Sequence, residues 1–174
     1  MKNSCPLLLS YYKQDVLFIA PDLIGKYLFV RKKDNKIEKY IITETEAYRG
    51  EEDLACHASK GRTKRTEIMY KAGGNMYVYL IYGMYWMLNV VTGKQNEPQA
   101  VLIRALEGFS GPGKLTKALH INSSYNGRSL TKETGIWIEE SGLKPDIQTS
   151  IRIGVDYAGD IWKNKPWRFT LKEK

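Results

Sequence analysis

The sequence has too few cysteines and histidines for the sites that several enzyme classes require. Only two of each occur among 174 residues. Cys5 and Cys56 stand alone, without the spacing of a metal motif or a disulfide framework, so we expect reduced thiols in an intracellular protein. A zinc-deaminase site is excluded, because it needs three His or Cys ligands near a glutamate. We expect no metal site.

Long apolar runs are also missing. All of them fall far short of the roughly 20 residues that span a bilayer. The apolar residues 6–9 are not followed by the pattern of a cleaved signal peptide. We therefore expect a soluble protein that is neither membrane-bound nor secreted. Its expected location is the cytoplasm.

Cofactor-binding motifs are absent or incomplete. No Gly-x-Gly-x-x-Gly follows a strand-like segment, which argues against a dinucleotide. Residues 108–114 (GFSGPGK) resemble a phosphate-binding P-loop, but Leu115 stands where the magnesium-binding hydroxyl is required. We prefer a helix cap whose Lys114 is available to a phosphate group of a binding partner. We expect no cofactor.

Acidic residues are the minority among the charged ones. The chain has 27 Lys and Arg against 19 Asp and Glu, a formal net charge of +8. This excess favours a polyanionic partner, because neutralised phosphates release counterions. Basicity alone is weak evidence, since it also serves solubility.

The residue pattern predicts an α+β fold in one domain, residues 1–174, with residues 1–13 as a flexible N-terminal arm. A helix is predicted over 14–24, ended by Gly25, and a short one over 113–119. The polar, basic residues 51–65 are predicted as a surface loop with short helical pieces. The predicted strands are 26–31, 38–48, a hairpin over 75–91 with its turn near 82–84, then 100–107, 136–139, 151–155 and 167–171.

A candidate catalytic strand contains Thr43-Glu44-Thr45-Glu46-Ala47-Tyr48. Strand alternation places Glu44, Glu46 and Tyr48 on one face. A carboxylate on that face could act as a general base that activates water. From the pattern alone, an exposed strand face is the simpler interpretation.

The predicted hairpin is rich in tyrosine, at positions 77, 79, 82 and 85. A small core cannot bury all of these with their hydroxyl groups satisfied. Beside the basic residues 62, 64, 65 and 71 they could stack on nucleic-acid bases. A tyrosine-rich core or a protein interface explains the pattern equally well.

Several separate motifs occur along the chain in one order. They are Thr45-Glu46-Ala47-Tyr48, His57, Tyr77-Val-Tyr79-Leu-Ile-Tyr82-Gly83-Met84-Tyr85, Asn89, Leu102-Ile-Arg104-Ala-Leu-Glu107, Gly111-Pro-Gly-Lys-Leu115, Arg152-Ile-Gly154 and Pro166-Trp-Arg-Phe169. Together they resemble the alkyladenine (3-methyladenine) DNA glycosylase family, and the resemblance runs from about Gly25 to near the C-terminus. It implies a curved, mostly antiparallel sheet with helices around it and a protruding hairpin, as in the C-terminal domain of methionyl-tRNA formyltransferase.

The resemblance implies roles for individual residues. Glu46 matches the general base, Arg104 an arginine that positions the attacking water, and Ile153 a residue whose backbone carbonyl also holds that water. Tyr48, His57 and Tyr79 match the walls of the base pocket, and Asn89 matches the gate against guanine. The residues that match DNA contacts are Tyr82 as the wedge, with Met84, Tyr85, Arg62 and Lys114. Cys56 departs from the family pattern, in which a small residue such as alanine is expected.

The activity implied is that of a monofunctional glycosylase without lyase activity, because no lysine matches a nucleophile. Such an enzyme excises alkylated or deaminated purines from duplex DNA and leaves an abasic site. The implied substrates are 3-methyladenine, 7-methylguanine, hypoxanthine and ethenoadenine. We expect a monomer, and the implied DNA substrate places it with the nucleoid if the source is bacterial. The alternative is a non-catalytic nucleic-acid-binding module of the same fold.

Overall fold

The computed structural model describes residues 5–172, and nine strands and three α-helices form the regular structure of that part of the chain. The strands are β1 (Tyr27–Arg31), β2 (Ile37–Arg49), β3 (Met76–Ile81), β4 (Tyr85–Val91), β5 (Gln99–Leu106), β6 (Phe109–Ser110), β7 (Ile136–Glu139), β8 (Ile147–Ser150) and β9 (Arg168–Leu171). The α-helices are α1 (Val16–Asp22), α2 (Pro112–Ala118) and α3 (Gly159–Lys163). Short 3-10 turns cover Tyr11–Lys13, His57–Lys60, Glu67–Tyr70, Ser123–Tyr125 and Asp156–Ala158. The predicted α+β class is confirmed.

The long strand β2 is the centre of the antiparallel sheet. Along the main path the strand order is β3-β4-β5-β2-β1-β7. The first part of β2 pairs with β1, and its second part lies between β5 and β9. Glu46 is in register with Leu102 on one side and Arg168 on the other. Its backbone is therefore held within three strands.

The hydrophobic core lies between the sheet and the helices. Asp15 caps α1 by accepting a 2.9 Å hydrogen bond from the Leu17 N–H. The Thr45 hydroxyl donates to the Ala20 carbonyl of α1 at 2.8 Å. Thr45 and Ala47 are buried on the face of β2 opposite Glu46, as strand alternation predicts. One face of β2 thus packs in the core, and the other faces the candidate site.

The hairpin of β3 and β4 extends beyond the core. Tyr82 and Gly83 have φ values of 52° and 68°, and the Met84 N–H donates to the Ile81 carbonyl at 3.1 Å. Positive φ at both central residues is typical of a type I′ turn. Exposure rises from 2% at Tyr77 to 82% at Tyr82. The predicted hairpin and the position of its turn are confirmed.

The strand predicted over residues 151–155 is wrong. The strand in this region is β8, which ends at Ser150, and residues 151–155 are irregular. Ile151 and Ile153 are exposed, whereas Arg152 is buried. The Ile153 N–H bonds to a side-chain carboxylate instead of a neighbouring strand.

The ends of the chain and of α1 also differ in detail from the sequence patterns. Helix α1 is shorter than the predicted 14–24, because Asp15 caps its start and the chain turns at Gly25, where φ is +84°. The first four residues of the predicted N-terminal arm lie outside the described residues. Within the rest of the arm, Pro6 forms a bridge to Glu139 and Tyr12 is fully buried. Mobility of the arm stays a prediction.

Candidate active site

Most of the predicted site residues converge on one cavity. It has a volume of about 330 Å³ and lies between β2, β5, the hairpin and the segment after β8. Six of the seven predicted catalytic and base-pocket residues line it: Tyr48, His57, Tyr79, Asn89, Arg104 and Ile153. The seventh, Glu46, lies directly behind this lining.

Glu46 is fully buried, with 0% exposure. Its Oε1 atom accepts a 2.8 Å hydrogen bond from the Ile153 N–H, and its Oε2 atom accepts a 2.7 Å hydrogen bond from the Tyr48 hydroxyl. Both donors belong to residues that line the cavity. The exposed strand face inferred from the pattern alone is therefore wrong, and the carboxylate lies immediately beneath the cavity surface.

The environment of Glu46 raises the pKa of its carboxyl group above the usual value. Burial is the main cause, because it penalises the charged form. The positive charge of Arg104 and the hydrogen bonds from Ile153 and Tyr48 oppose this effect. A carboxylate with a raised pKa is a stronger base than an exposed one, which suits proton abstraction near neutral pH.

Arg104 is oriented by a second carboxylate. The Oε1 atom of Glu44 accepts from Arg104 Nε at 2.8 Å and from Arg168 Nε at 2.6 Å. This leaves Arg104 Nη1 3.5 Å from Glu46 Oε1. Sequence reasoning placed Glu44 on the correct face but assigned it no role. Sequence reasoning also gave Arg168 no role, although its position in the Pro166-Trp-Arg-Phe169 motif could have pointed to it.

An aromatic wall is formed by His57, Tyr77 and Tyr79. The His57 and Tyr79 ring centroids are 4.5 Å apart, and those of Tyr77 and Tyr79 are 5.1 Å apart. The His57 Nδ1 atom and the Tyr77 hydroxyl are 2.9 Å apart. Tyr77 was not among the predicted site residues, although it lies two positions before Tyr79 on the same face of β3.

His57 is uncharged at neutral pH. Burial, helped by the positive charges of Arg65 and Lys60, lowers its pKa to about 4. Burial also raises the pKa of the Tyr77 and Tyr79 hydroxyls, and that of the Tyr48 hydroxyl, so all three remain protonated. The wall therefore consists of neutral rings that can stack on a planar ligand.

Arg65 and Arg62 have different surroundings. The Arg65 guanidinium lies 5.2 Å from the Tyr79 ring centroid, and Arg65 lines the cavity. Arg62, a predicted DNA contact, instead donates to Glu67 at 2.8 and 2.7 Å and is absent from the cavity lining. Both residues were recognised as basic neighbours of the hairpin. Sequence alone did not identify Glu67 as the partner that holds Arg62.

Asn89 is buried where β3 and β4 meet the cavity. Its Nδ2 atom donates to the Tyr77 carbonyl at 3.1 Å, which fixes the side-chain amide. Ile153 contacts Glu46 through its backbone N–H. The roles predicted for the Asn89 amide as a gate and for the Ile153 carbonyl as a water ligand stay predictions.

The hairpin tip forms an exposed apolar surface. Tyr82, Met84 and Tyr85 are 82%, 65% and 45% exposed, and Tyr82 also reaches the cavity. The base of the Tyr85 side chain packs on Gly113 in α2, where an added Cβ would lie only 2.7 Å from Tyr85 Cδ1. Lys114, the next residue of α2, is exposed. The apolar tip and a cation thus lie on neighbouring elements.

The described part of the chain lacks a candidate metal cluster, a disulfide and a long apolar helix. Residues 5–172 contain no cluster of three or more His, Cys, Asp or Glu that could hold a metal ion. Burial raises the pKa of the Cys56 thiol to about 12, and no disulfide joins it to Cys5. Among the helices described, none has the length and apolar character needed to cross a membrane.

Comparisons with known proteins identify one family over most of the chain. The family model for methylpurine-DNA glycosylase matches residues 10–110 and 108–174. A Legionella pneumophila (strain Paris) protein is 45% identical, with 96% of this chain and 94% of the relative covered. A Psychrobacter cryohalolentis protein is 42% identical with 90% and 92% covered, and a Rickettsia peacockii protein is 41% identical with 99% and 93% covered. All three carry the name "Putative 3-methyladenine DNA glycosylase".

Proposed function

The chain belongs to the methylpurine-DNA glycosylase family, and from this premise we propose that it is a DNA glycosylase of base-excision repair. It rotates a damaged purine nucleotide out of duplex DNA and hydrolyses the bond between base and sugar. The observation that carries this proposal is the buried Glu46 carboxylate, held by Tyr48 and Ile153 beneath an aromatic cavity. A protein that only binds nucleic acid has no need of a carboxylate that acts as a general base at this position.

The hairpin tip opens the duplex. A base inside the helix cannot be reached, so it must be extruded at a cost of a few kcal/mol. Tyr82 enters the gap and compensates part of the lost stacking, with Met84 and Tyr85 beside it in the minor groove. Lys114 contacts phosphate, and Arg62 does so by exchanging Glu67 for a phosphate group. These contacts explain why an exposed apolar surface occurs in a strongly basic protein.

The cavity holds the extruded purine between Tyr48, His57 and Tyr79. Alkylated purines are electron-poor, and a cationic one is attracted by the negative faces of the tyrosine rings. The neutral His57 adds no positive charge that would repel such a base. Asn89 crowds the exocyclic amino group of normal guanine. The proposed substrates are 3-methyladenine, 7-methylguanine, hypoxanthine and ethenoadenine.

Glu46 accepts a proton from a water molecule as the water oxygen bonds to the sugar C1′ atom. The bond between C1′ and the base breaks at the same time, and its electron pair leaves with the base. Arg104 and the Ile153 carbonyl orient the water. No lysine among the described residues lines the cavity, so no amine is placed to form a covalent intermediate and cleave the strand. The product is an intact strand with an abasic site.

The test uses duplexes that contain one hypoxanthine or ethenoadenine, and DNA that carries 3-methyladenine. We expect release of the free base and strand cleavage only after alkali treatment. Strand breaks without alkali, in protein freed of abasic-site endonuclease, would contradict the absence of lyase activity. Tight binding without release of any of these bases would favour the non-catalytic binding module.

A further inference from the structure

Arg152 and Asp53 form a buried ion pair behind the cavity, and the proposed reaction does not use it. Arg152 is 3% exposed and Asp53 is 0% exposed. Arg152 Nη1 and Nη2 donate to the two oxygens of Asp53 at 2.6 and 2.8 Å. Asp53 follows β2 and Arg152 follows β8, so the pair joins two segments that are distant in sequence.

Arg152 also binds β2 and the neighbouring aromatic rings. Its Nη1 atom donates to the Ala47 carbonyl at 2.9 Å, and Nη2 donates to the Trp162 carbonyl at 3.1 Å. Its guanidinium carbon lies 4.9 Å from the Tyr48 ring centroid and 5.1 Å from that of Trp167. The guanidinium therefore lies close to two rings, and one of them, Tyr48, lines the cavity.

Both hydrogen-bond donors of Glu46 are linked to Arg152. Ile153, the next residue in the chain, donates its N–H to one carboxylate oxygen. Tyr48, whose ring packs on the guanidinium, donates its hydroxyl to the other. Displacement of Arg152 would move the peptide N–H on one side and free the tyrosine ring on the other.

Stability alone is a poor explanation for this pair. Removing two charges from water costs about as much as their attraction returns, and apolar replacements are often neutral or stabilising. The Arg152 Nε atom is also buried with no acceptor among the described residues, which carries a further cost. The contacts of Arg152 with Ala47 and Tyr48, close to Glu46 on β2, point instead to a geometric role.

We propose that Arg152, clamped by Asp53, is a positioning residue that holds the Ile153 N–H and the Tyr48 hydroxyl against the Glu46 carboxylate. This inference rests on the proposed function, in which Glu46 activates water. Arg152 touches neither substrate nor water and acts through its two neighbours.

The proposal predicts a change in the ionisation of Glu46. Hydrogen bonds from Ile153 and Tyr48 lower the pKa of Glu46 against the effect of burial. Their loss raises it, so the ionised base appears only at higher pH. The charged and titratable groups that face Glu46 are Glu44 and Tyr48 from β2, Tyr79 from β3, Arg104 from β5, Arg152 and Tyr157 from the segment after β8, and Arg168 in register on β9.

The test variant is Arg152→Met combined with Asp53→Asn, which removes both charges. The asparagine side chain keeps an amide oxygen that can accept the hydrogen bond from the Ala55 N–H, as the Asp53 carboxylate does. The matched control is Arg49→Met with Asp15→Asn. Arg49 also makes two hydrogen bonds to its partner, and Asp15 likewise caps a nearby N–H, but this pair lies outside the cavity. Arg152→Lys is a second variant that keeps the charge and loses the bidentate geometry.

Four quantities are measured: the unfolding midpoint, the affinity for lesion DNA, the single-turnover excision rate against pH, and the pH titration of the Ile153 amide nitrogen by NMR. The last reports Glu46 ionisation without catalysis. For either Arg152 variant we expect a folded protein with affinity within a few-fold of wild type. Its excision should be about 10- to 100-fold slower, the effect of losing hydrogen bonds to a charged group. The acidic limb of the rate profile and the Ile153 titration should both move to higher pH, and the control should match wild type.

Two outcomes separate this inference from the proposed function. If wild type excises bases and folded Arg152 variants keep its rate and its Ile153 titration, the clamp is overturned and the glycosylase function stands. If wild type releases no base, the proposed function fails. The Ile153 titration then decides alone whether Arg152 positions the carboxylate, and an unchanged titration overturns that as well.

Discussion

The Tyr48 hydroxyl donates a 2.7 Å hydrogen bond to the Glu46 carboxylate, two residues earlier on the same face of β2. One side chain therefore forms part of the cavity wall and also holds the candidate base. This relationship couples binding of the extruded purine to the position of the Glu46 carboxylate, because any movement of the Tyr48 ring also moves its hydroxyl.

Tyr48→Phe separates these two functions. Phenylalanine keeps the ring but removes the hydroxyl, so the pKa of Glu46 rises further and the base is ionised only at higher pH. We expect lesion affinity close to that of wild type, a lower excision rate at pH 7, and recovery of much of the loss at higher pH. Single-turnover rates between pH 5 and 9 provide the test. A uniform loss at all pH values would assign the hydroxyl another role.

His57 should titrate far below its usual range. Burial and neighbouring cations lower its folded-state pKa to about 4, whereas the unfolded value is about 6.5. Between these values the unfolded chain binds one more proton, so His57 lowers stability as pH falls from about 6.5 towards 4 and has no effect above that window. His57→Gln should flatten the pH dependence of unfolding there. NMR titration of the ring provides the direct check, and a midpoint near 6.5 would refute the account.

Tyr82→Gly should weaken function without weakening the fold. A non-glycine residue at φ 52° costs about 1 kcal/mol relative to glycine, and Tyr82 is 82% exposed with little packing to lose. The variant should unfold at the same temperature or slightly higher. Its base extrusion, followed by a fluorescent base analogue beside the lesion, should fall together with excision. Normal extrusion by the variant would show that Tyr82 is not the wedge.

Gly113→Ala should disturb the hairpin through Tyr85. The added Cβ would lie 2.7 Å from Tyr85 Cδ1 and 3.0 Å from Tyr85 Cγ. These ring atoms are next to the Cβ atom of Tyr85 and cannot move aside as the end of a flexible side chain could. Alanine favours the helix by up to about 1 kcal/mol, so we expect reduced DNA affinity more than reduced stability. The control is the double variant with Tyr85→Ala. If displacement of Tyr85 is the cause, the double variant should bind like Tyr85→Ala alone, and any additional loss would point elsewhere.

Local patterns predicted the hairpin and the candidate catalytic strand because both signals lie within a few residues. Tyr82 and Gly83 define the turn, and alternation along β2 placed Glu46 and Tyr48 on one face. The burial of that face could not be derived this way. It depends on Ile153, which is 107 positions away in sequence.

The segment after β8 was misassigned for a related reason. Ile151 and Ile153 suggest a strand by their side chains, but the inward residue is Arg152 and its partner Asp53 lies 99 positions away. Ionic partners across such separations leave no local pattern. Arg62 and its partner Glu67 are only 5 positions apart, but their contact depends on how the loop folds. The resemblance to a known family identified residues whose connections the pattern alone could not supply.

The most direct test of the central claim compares Glu46→Gln with wild type in single-turnover excision of hypoxanthine or ethenoadenine from a duplex. Glutamine keeps the size of the side chain but cannot accept the proton of the attacking water. We expect lesion affinity within a few-fold of wild type and excision slowed by about 10²- to 10⁴-fold, the range of a general base. An excision rate within a few-fold of wild type would contradict the assignment of Glu46 as the base that activates water.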